Sequence, residues 1–451
     1  MKKAGLVNGR AVAVDVLERV EKDAAFAKAA LEHALCQAER LARQDKALAT
    51  EIVYGTLRHQ IPIDAELASY LRQPLHTTNP YLRAALRAAL YQLRFLDRVP
   101  AYAVVSETVT LVRKKRGAVL AKVANAVLRR LSREKKEDPS KFEIQQLNLP
   151  PWLQTLFEQS LGSERAACLS QASVKPCATL WLPYPERQEE LRRMLQQDSP
   201  SAEITPSRWL SDALHVSQGG ALHQSTAYRE GHFNIQEEGA QIASVLCGVK
   251  KGEYVLDACA GRGNKSLRFA QSVGDSGHVT AVDIHPRKLA VIAKQMTRLG
   301  IDTSRVSTAA VDLSIGLGAL PQGQFDRVIV DAPCSGLGTL YRHPERIQQT
   351  NLQSLAKLAE LQYQILCRVL PLVRPGGYLV YIVCTPARDE GIQVVEKVQR
   401  THAHIRPDPP RLESPAGVIS ADSDGMLRLG PWLSGDANIM DAFQLFRWIV
   451  R

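Results

Sequence analysis

From Gly252 onward, short apolar runs end in acidic residues and alternate with amphipathic stretches. No other feature constrains the fold as much. Tyr254–Leu256 runs into Asp257, His278–Ile284 carries Asp283, and Val306–Val311 is followed by Asp312. Val328–Val330 runs into Asp331, and Tyr378–Val383, entered through a turn at Pro375-Gly376-Gly377, ends on Cys384. Helices are expected over Ser266–Gln271, over Pro286–Leu299, and where Leu352, Leu355, Leu358, Leu361, Ile365, Leu366 and Val369 share one side. Phe443–Val450 reads as a last strand. Repeated βα units of this kind build a doubly wound, mostly parallel sheet, an α/β fold. Ligands of such sheets sit beyond the carboxyl ends of the strands. The stretch FDRVIVDAPCSGLGTLYRHPER (Phe325–Arg346) therefore brings a carboxylate, Asp331, a rigid proline, Pro333, and a thiol, Cys334, to the place where chemistry is expected.

The chain before this pattern is of another kind. Residues 1–140 are helical in spacing (Ala11, Val14, Leu17, Val20; Ile52, Leu57, Leu67, Leu71; Leu82, Leu86, Leu90, Leu93), with little glycine. This all-α module reads as a packing or binding domain. Its end is basic: ten Lys/Arg fall between Arg113 and Lys136 against one acid, Glu134. Helix positions three and four apart share a face, so Lys122, Arg129, Arg130 and Arg133 can form a stripe for a phosphate backbone, although a charge run more often marks a solvated face. The whole chain carries a formal charge of +11, which favours a polyanionic partner. Residues 141–231 read as a linker followed by a small α/β subdomain with strands at Ala178–Leu182 and Ala202–Ile204; residues 232–451 form the domain with the alternating pattern.

Eight cysteines lie scattered without a CxxC pair or a metal-ligand spacing, so a reducing compartment, no disulfide framework and no metal are expected. No apolar run approaches a membrane span, and the N-terminus turns charged too early for a signal peptide, so a cytoplasmic chain without a membrane partner is expected.

The turn after the first strand, DACAGRGNK (Asp257–Lys265), lets backbone approach a ligand at a helix N-terminus. Alone it suits NAD, a flavin or S-adenosylmethionine. It meets neither the Walker A pattern nor the full dinucleotide fingerprint. Asp283 stands where an acid accepts ribose hydroxyls, and Asp312 can reach an adenine amino group. Cys334 and Cys384 follow neighbouring strands, so both sulfurs can face one pocket. A pair of thiols beside a methyl donor points to methylation of pyrimidine carbon five, which becomes nucleophilic only after a thiolate adds at carbon six. The base must be single-stranded or flipped out. Residue chemistry leaves the order of the two thiols open. Cys36, Cys168, Cys177, Cys247 and Cys367 are expected to be core residues.

These residues resemble the RNA cytosine-five methyltransferases, and more narrowly the ribosomal RNA small subunit methyltransferase B family, also called Sun or Fmu. The likeness spans nearly the whole chain. Glu51-Ile-Val-Tyr-Gly-Thr-Leu-Arg58, Leu90-Tyr-Gln-Leu93, Val99-Pro-Ala-Tyr-Ala103 and Asn125-Ala-Val-Leu-Arg-Arg130 are similar to the family's NusB-like RNA-binding domain; Asp331-Ala-Pro-Cys-Ser335 with Arg342-His-Pro-Glu345 is similar to its catalytic part. The resemblance implies a Rossmann-like class I methyltransferase domain preceded by the NusB-like domain and the small subdomain. It implies that Cys259, Ala260, Gly261, Arg262, Gly263, Asn264 and Lys265 hold S-adenosylmethionine, with Asp283 on the ribose, Asp312 near adenine and Asp331 between donor and target base. Cys384 matches the nucleophile and Cys334 the cysteine that assists product release. The implied substrate is a cytosine of the 967 type in 16S ribosomal RNA, free or in an early small-subunit precursor. A monomer is expected, although sequence does not fix the oligomeric state.

The chain departs from the family at Arg262 and Asn264 in the donor turn, at Val383-Cys384-Thr385, at Gln236-Glu237 and at Pro183. A transfer RNA cytosine-five methyltransferase is the first alternative, and the helical N-terminal domain speaks against it. A non-catalytic RNA-binding or ribosome-assembly protein on a methyltransferase scaffold is the second, and the presence of both Cys334 and Cys384 speaks against that.

Overall fold

The computed structural model describes residues 8–133, 149–170, 177–434 and 440–451. Two compact units emerge from its packing. One comprises the described residues up to Gln154 together with Ser170 and Leu340–Gln349; the other holds Thr155–Leu169, residues 177–339 and the described residues from Thr350 to Arg451.

The first unit is helical: α1 (Gly9–Lys22), α2 (Ala27–Gln37), α3 (Arg43–Arg58), α4 (Gln60–Ala68), α5 (Pro80–Phe95), α6 (Ala101–Arg116) and α7 (Ala118–Arg133). Asn8 starts α1 by accepting from Ala11 N at 2.9 Å. Asn79 caps α5, whose first residue is Pro80, where no N–H is missed. Every residue from Tyr81 to Leu93 is buried, so α5 is the axis about which the other helices pack. Its two buried arginines are paired, as burial of charge requires: Arg83 with Glu21 at 2.8 Å and Arg87 with Asp64 at 2.6 Å. Leu340–Gln349 is held in the same unit. Ala27 N donates to Glu345 Oε1 at 3.2 Å, Arg58 Nε to Tyr341 O at 3.3 Å, and Gln349 Nε2 to Ala25 O at 3.2 Å.

Part of the basic run is committed to this unit. Lys115 pairs with Asp15 at 3.1 Å and Arg116 with Glu18 at 2.7 Å. Lys122, Arg129, Arg130 and Arg133 are exposed on α7. Glu134, Lys135, Lys136 and residues 137–148 of the expected linker lie outside the described residues.

The second unit opens with α8 (Pro151–Leu161), shared with the first, and α9 (Ser163–Ser170). A small antiparallel sheet follows, made of β1 (Ala178–Trp181), β2 (Glu203–Pro206), β3 (Ala213–Ser217) and β4 (Asn234–Ile235), with α10 (Gln188–Asp198) and α11 (Thr226–Arg229). Its order is β2-β3-β1-β4. The expected strand at Ala202–Ile204 is β2, one residue later, and β3 was not expected. His215 interrupts the apolar run of β3, yet it is buried because Glu238 meets it at 3.1 Å and Cys177 at 3.8 Å.

The main sheet is built from β5 (Tyr254–Asp257), β6 (His278–Asp283), β7 (Val306–Ala310), β8 (Phe325–Asp331) and β9 (Val373–Val383), all mutually parallel in the order β9-β8-β5-β6-β7. α12 (Glu238–Leu246) precedes it; α13 (Asn264–Val273), α14 (Pro286–Leu299), α16 (Leu352–Val369) and α17 (Ile392–Thr401) fall between or after the strands, while the short α15 (Arg346–Gln349) belongs to the first unit. The edge beyond β9 is antiparallel: β14 (Phe443–Val450) pairs with β9, and β10 (Ile405–Pro407) and β13 (Leu427–Leu429) pair with β14; β11 (Leu412–Ser414) and β12 (Gly417–Ile419) form a separate hairpin. Buried side chains fill both faces of the sheet, with Ile329 and Val380 on one and Val328 and Leu379 on the other. That explains the near-continuous apolar runs.

Two expectations need correction. Pro375-Gly376-Gly377 does not precede the fifth strand but lies inside it: Phe325 pairs with Val373 and Arg327 with Tyr378, so Arg374–Gly377 bulges out opposite Asp326. Gly376 takes φ +77°, and Arg374 reaches back to Asp326 at 2.5 Å. Cys36 is exposed on α2 and is not a core residue, and among the other four only Cys247 is fully buried.

Candidate active site at the switch point of the sheet

Strand order reverses between β5 and β8, since the chain builds outward from β5 through β6 and β7 and then returns to β8 on the other side. The crevice beyond such a reversal is where this architecture binds ligands. Both sequence motifs arrive there.

After β5 the chain turns through Gly261 (φ +57°) and Gly263 (φ +82°), conformations that glycine adopts without strain. A Cβ at Gly263 would also lie 2.5 Å from Ile292. Gly261 N donates to Asp283 Oδ2 at 3.0 Å, so the acid at the end of β6 clamps the turn, while its other oxygen accepts from His285 N at 2.8 Å. Asp257 is wholly buried. Ser266 Oγ donates to its Oδ2 at 2.6 Å, and its Oδ1 has no protein partner. Burial pushes the Asp257 carboxyl up to about 7 against the pull of the Ser266 bond. Lys265 Nζ contacts Asp331 Oδ2 at 2.5 Å. Burial alone would lower the Lys265 ammonium, but the adjoining Asp331 outweighs it and the net shift is upward.

These groups line a cavity of about 200 Å³ walled by Asp257, Cys259, Ala260, Gly261, Arg262, Asn264, Lys265 and Asp331. Asp312 stands apart. It lies two residues past the end of β7 and is turned into its own loop, accepting from Ser314 N at 2.9 Å and Ser314 Oγ at 2.5 Å. Those two bonds hold its carboxyl below the usual range.

Cys334 Sγ and Cys384 Sγ are 3.2 Å apart. The contact with Cys384, then burial, raises the Cys334 thiol well above its ordinary range. A buried network that the sequence did not disclose fixes the two loops against each other. Ser335 N donates to Glu390 Oε1 at 2.8 Å, and Ser335 Oγ to Thr385 Oγ1 at 3.1 Å. Gln362 Nε2 bonds Pro333 O and Glu390 Oε1, each at 3.0 Å. Tyr381 OH donates to Glu390 O at 2.6 Å, and Gln444 Nε2 to Thr385 O at 2.8 Å. Burial raises the Glu390 carboxyl despite these donors. The one sequence signal was Gln362, a polar residue on the apolar side of α16.

On α7, Lys122, Arg129 and Arg133 recur at intervals of seven and four and so share a face, whereas the Arg130 guanidinium lies 5.0 Å from the centre of the Tyr70 ring. Among the described residues no group of three or more His, Cys, Asp or Glu is placed to hold a metal ion, and no helix is long and apolar enough to cross a membrane.

A cavity with an unpartnered buried carboxylate oxygen, a clamped glycine turn and an acid at the next strand end suits a ligand bearing an ammonium and a ribose, and two thiols stand beside it. The class so defined is the S-adenosylmethionine-dependent methyltransferases, on a Rossmann-like domain preceded by a NusB-type helical domain. The family model for 16S rRNA methyltransferase RsmB/F matches residues 244–443, and that for the NusB family matches residues 7–133. A probable ribosomal RNA small subunit methyltransferase B of Synechocystis sp. is 30% identical over 435 residues, covering 94% of this chain and 96% of that one. Its counterpart in Bacillus subtilis is 29% identical over 414 residues, covering 90% and 91%. The crystal structure of PH0851 matches the fold with a TM-score of 0.81 at 20% identity, over 98% of this chain and 99% of that one. The chain belongs to the ribosomal RNA small subunit methyltransferase B family, S-adenosylmethionine-dependent RNA methyltransferases.

Proposed function

We propose that this enzyme methylates carbon five of one cytosine in 16S ribosomal RNA, of the 967 type, with Cys384 as nucleophile and Cys334 as the thiol that assists release. The observation that carries this reading is the 3.2 Å approach of the two sulfurs beside the Asp257–Lys265 cavity.

S-adenosylmethionine supplies an electrophilic methyl on a sulfonium sulfur. The Cys259–Lys265 turn and Asp283 hold it, with Asp312 toward the adenine once that side chain leaves Ser314. Asp331 lies between donor and base. The Cys384 sulfur adds to carbon six, which gives carbon five the electron density to take the methyl. The Lys265 ammonium interacts electrostatically with Cys384, so positive charge stands beside the sulfur that must attack as an anion. A base, water at the open site, then takes the carbon-five proton; the freed electron pair re-forms the double bond between carbons five and six, and the bond from carbon six to Cys384 breaks to return the Cys384 thiolate, with Cys334 in contact to assist its departure. The order of the two roles follows the family resemblance, in which Cys384 matches the nucleophile and Cys334 the releasing thiol. Lys122, Arg129 and Arg133 form the exposed face that takes RNA phosphates.

The test supplies the enzyme with isotopically labelled methyl donor and 16S RNA lacking the modification, alone and in immature small subunits, followed by nuclease digestion and mass spectrometry. Labelled 5-methylcytidine at a single 16S cytosine is expected. Label on another base, or in transfer RNA only, would overturn the proposal.

A further inference from the structure

The cavity lining poses a charge problem. S-adenosylmethionine ends in an amino acid, with an ammonium and a carboxylate on the same carbon. Asp257 and Asp331 line the cavity, and Asp283 clamps its turn. These acids suit the ammonium and the ribose but repel a carboxylate. Two cations line the same space. Lys265 is spent on Asp331 at 2.5 Å. Arg262 is exposed at the tip of the turn and is committed to no hydrogen bond or ion pair among the described residues. It also sits immediately before the N-terminus of α13, where Gly263 supplies no side-chain cap. The first-turn N–H groups there have no acceptor within the helix, and they add positive potential on the same side. The wholly buried Asp257 Oδ1, without a protein partner, marks the same space as a ligand site independently of the helix end.

We infer that Arg262 binds the carboxylate of the methyl donor, closing over the amino-acid end of the ligand while Asp257 takes its ammonium. This rests on the donor-site reading above. Arg262 then sets a preference for donors that carry a free carboxylate, a task the glycines of the turn cannot perform. A hydrogen-bonded charge pair of this kind changes affinity by roughly ten- to a hundredfold.

The test is calorimetric binding at pH 8 of S-adenosylhomocysteine and of its analogue lacking only the carboxylate, to wild type, Arg262→Ala and Arg262→Lys. Arg262→Ala is expected to weaken S-adenosylhomocysteine by about tenfold or more and to leave the decarboxylated analogue unchanged, with Arg262→Lys in between. The inference is overturned if Arg262→Ala weakens both ligands equally or neither. It is also overturned if the substitution leaves both affinities intact and lowers RNA affinity, which would assign Arg262 to a phosphate. Failure of S-adenosylhomocysteine to bind wild type would instead remove the donor-site reading itself.

Discussion

Asp257 carries an ionisation that can be tested directly. Its folded value is about 7, so the folded protein holds a proton between roughly pH 4 and 7 that the unfolded chain has released. This carboxyl therefore contributes less to stability as pH rises through that window. Ligand binding runs the other way, because only the ionised form attracts an ammonium. Lys265, Asp331 and Asp283 are the charged groups acting on it, and the upward shift already includes their effect. S-adenosylhomocysteine affinity is expected to rise roughly tenfold from pH 6 to pH 8 as the ionised fraction climbs. In Asp257→Asn the dependence should disappear along with most of the affinity. A flat wild-type profile would show that the cavity acid does not meet the ligand's cation.

At the scale of elements, the proposed two-thiol mechanism depends on how closely the loop after β8 lies against the end of β9 and the start of β14. Gly338 N donates to Cys384 O at 3.0 Å, and Ala442 N donates to Gly338 O at 2.8 Å. A Cβ at Gly338 would lie 2.0 Å from Ala442 O, a backbone atom that cannot swing aside. Gly338→Ala should therefore part the two sulfurs, lose about 1–3 kcal/mol of stability as overpacking does, and abolish methylation. Its S-adenosylhomocysteine affinity should be unchanged, because the donor turn is a separate loop. Equal loss of binding and activity would contradict this division. Much of this scale was readable beforehand: βα alternation put Cys334 and Cys384 on neighbouring strands because such units lay consecutive strands side by side. What stayed hidden has a common cause. The bulge at Arg374–Gly377, buried His215 in β3, and Glu390 and Gln444 beneath the thiols depend on partners far away in sequence. The side chain of Asp312 is likewise fixed by Ser314, which strand-end spacing does not reveal.

For the whole molecule, the helical unit offers Lys122, Arg129 and Arg133 to solvent while its inner arginines are paired. Converting all three to Gln is expected to weaken RNA binding and to reduce the slope of log affinity against log salt by about 2–3, close to one unit per lost phosphate contact. Donor affinity should not change. An unaltered slope would mean that this face is merely solvated. The family-defining likeness over both units made the general activity readable; single-nucleotide specificity belongs to the RNA surface as a whole and has no local motif. On the proposed function, catalysis is covalent and uses two thiols in a fixed order. The most direct measurement incubates wild type, Cys334→Ala, Cys384→Ala and the double variant with S-adenosylmethionine and unmodified 16S RNA, and looks for RNA-linked protein on a denaturing gel. The mechanism predicts a persistent adduct in Cys334→Ala alone, because Cys384 attacks and is not released. An adduct in Cys384→Ala, or none in Cys334→Ala while wild type methylates the RNA, would contradict it.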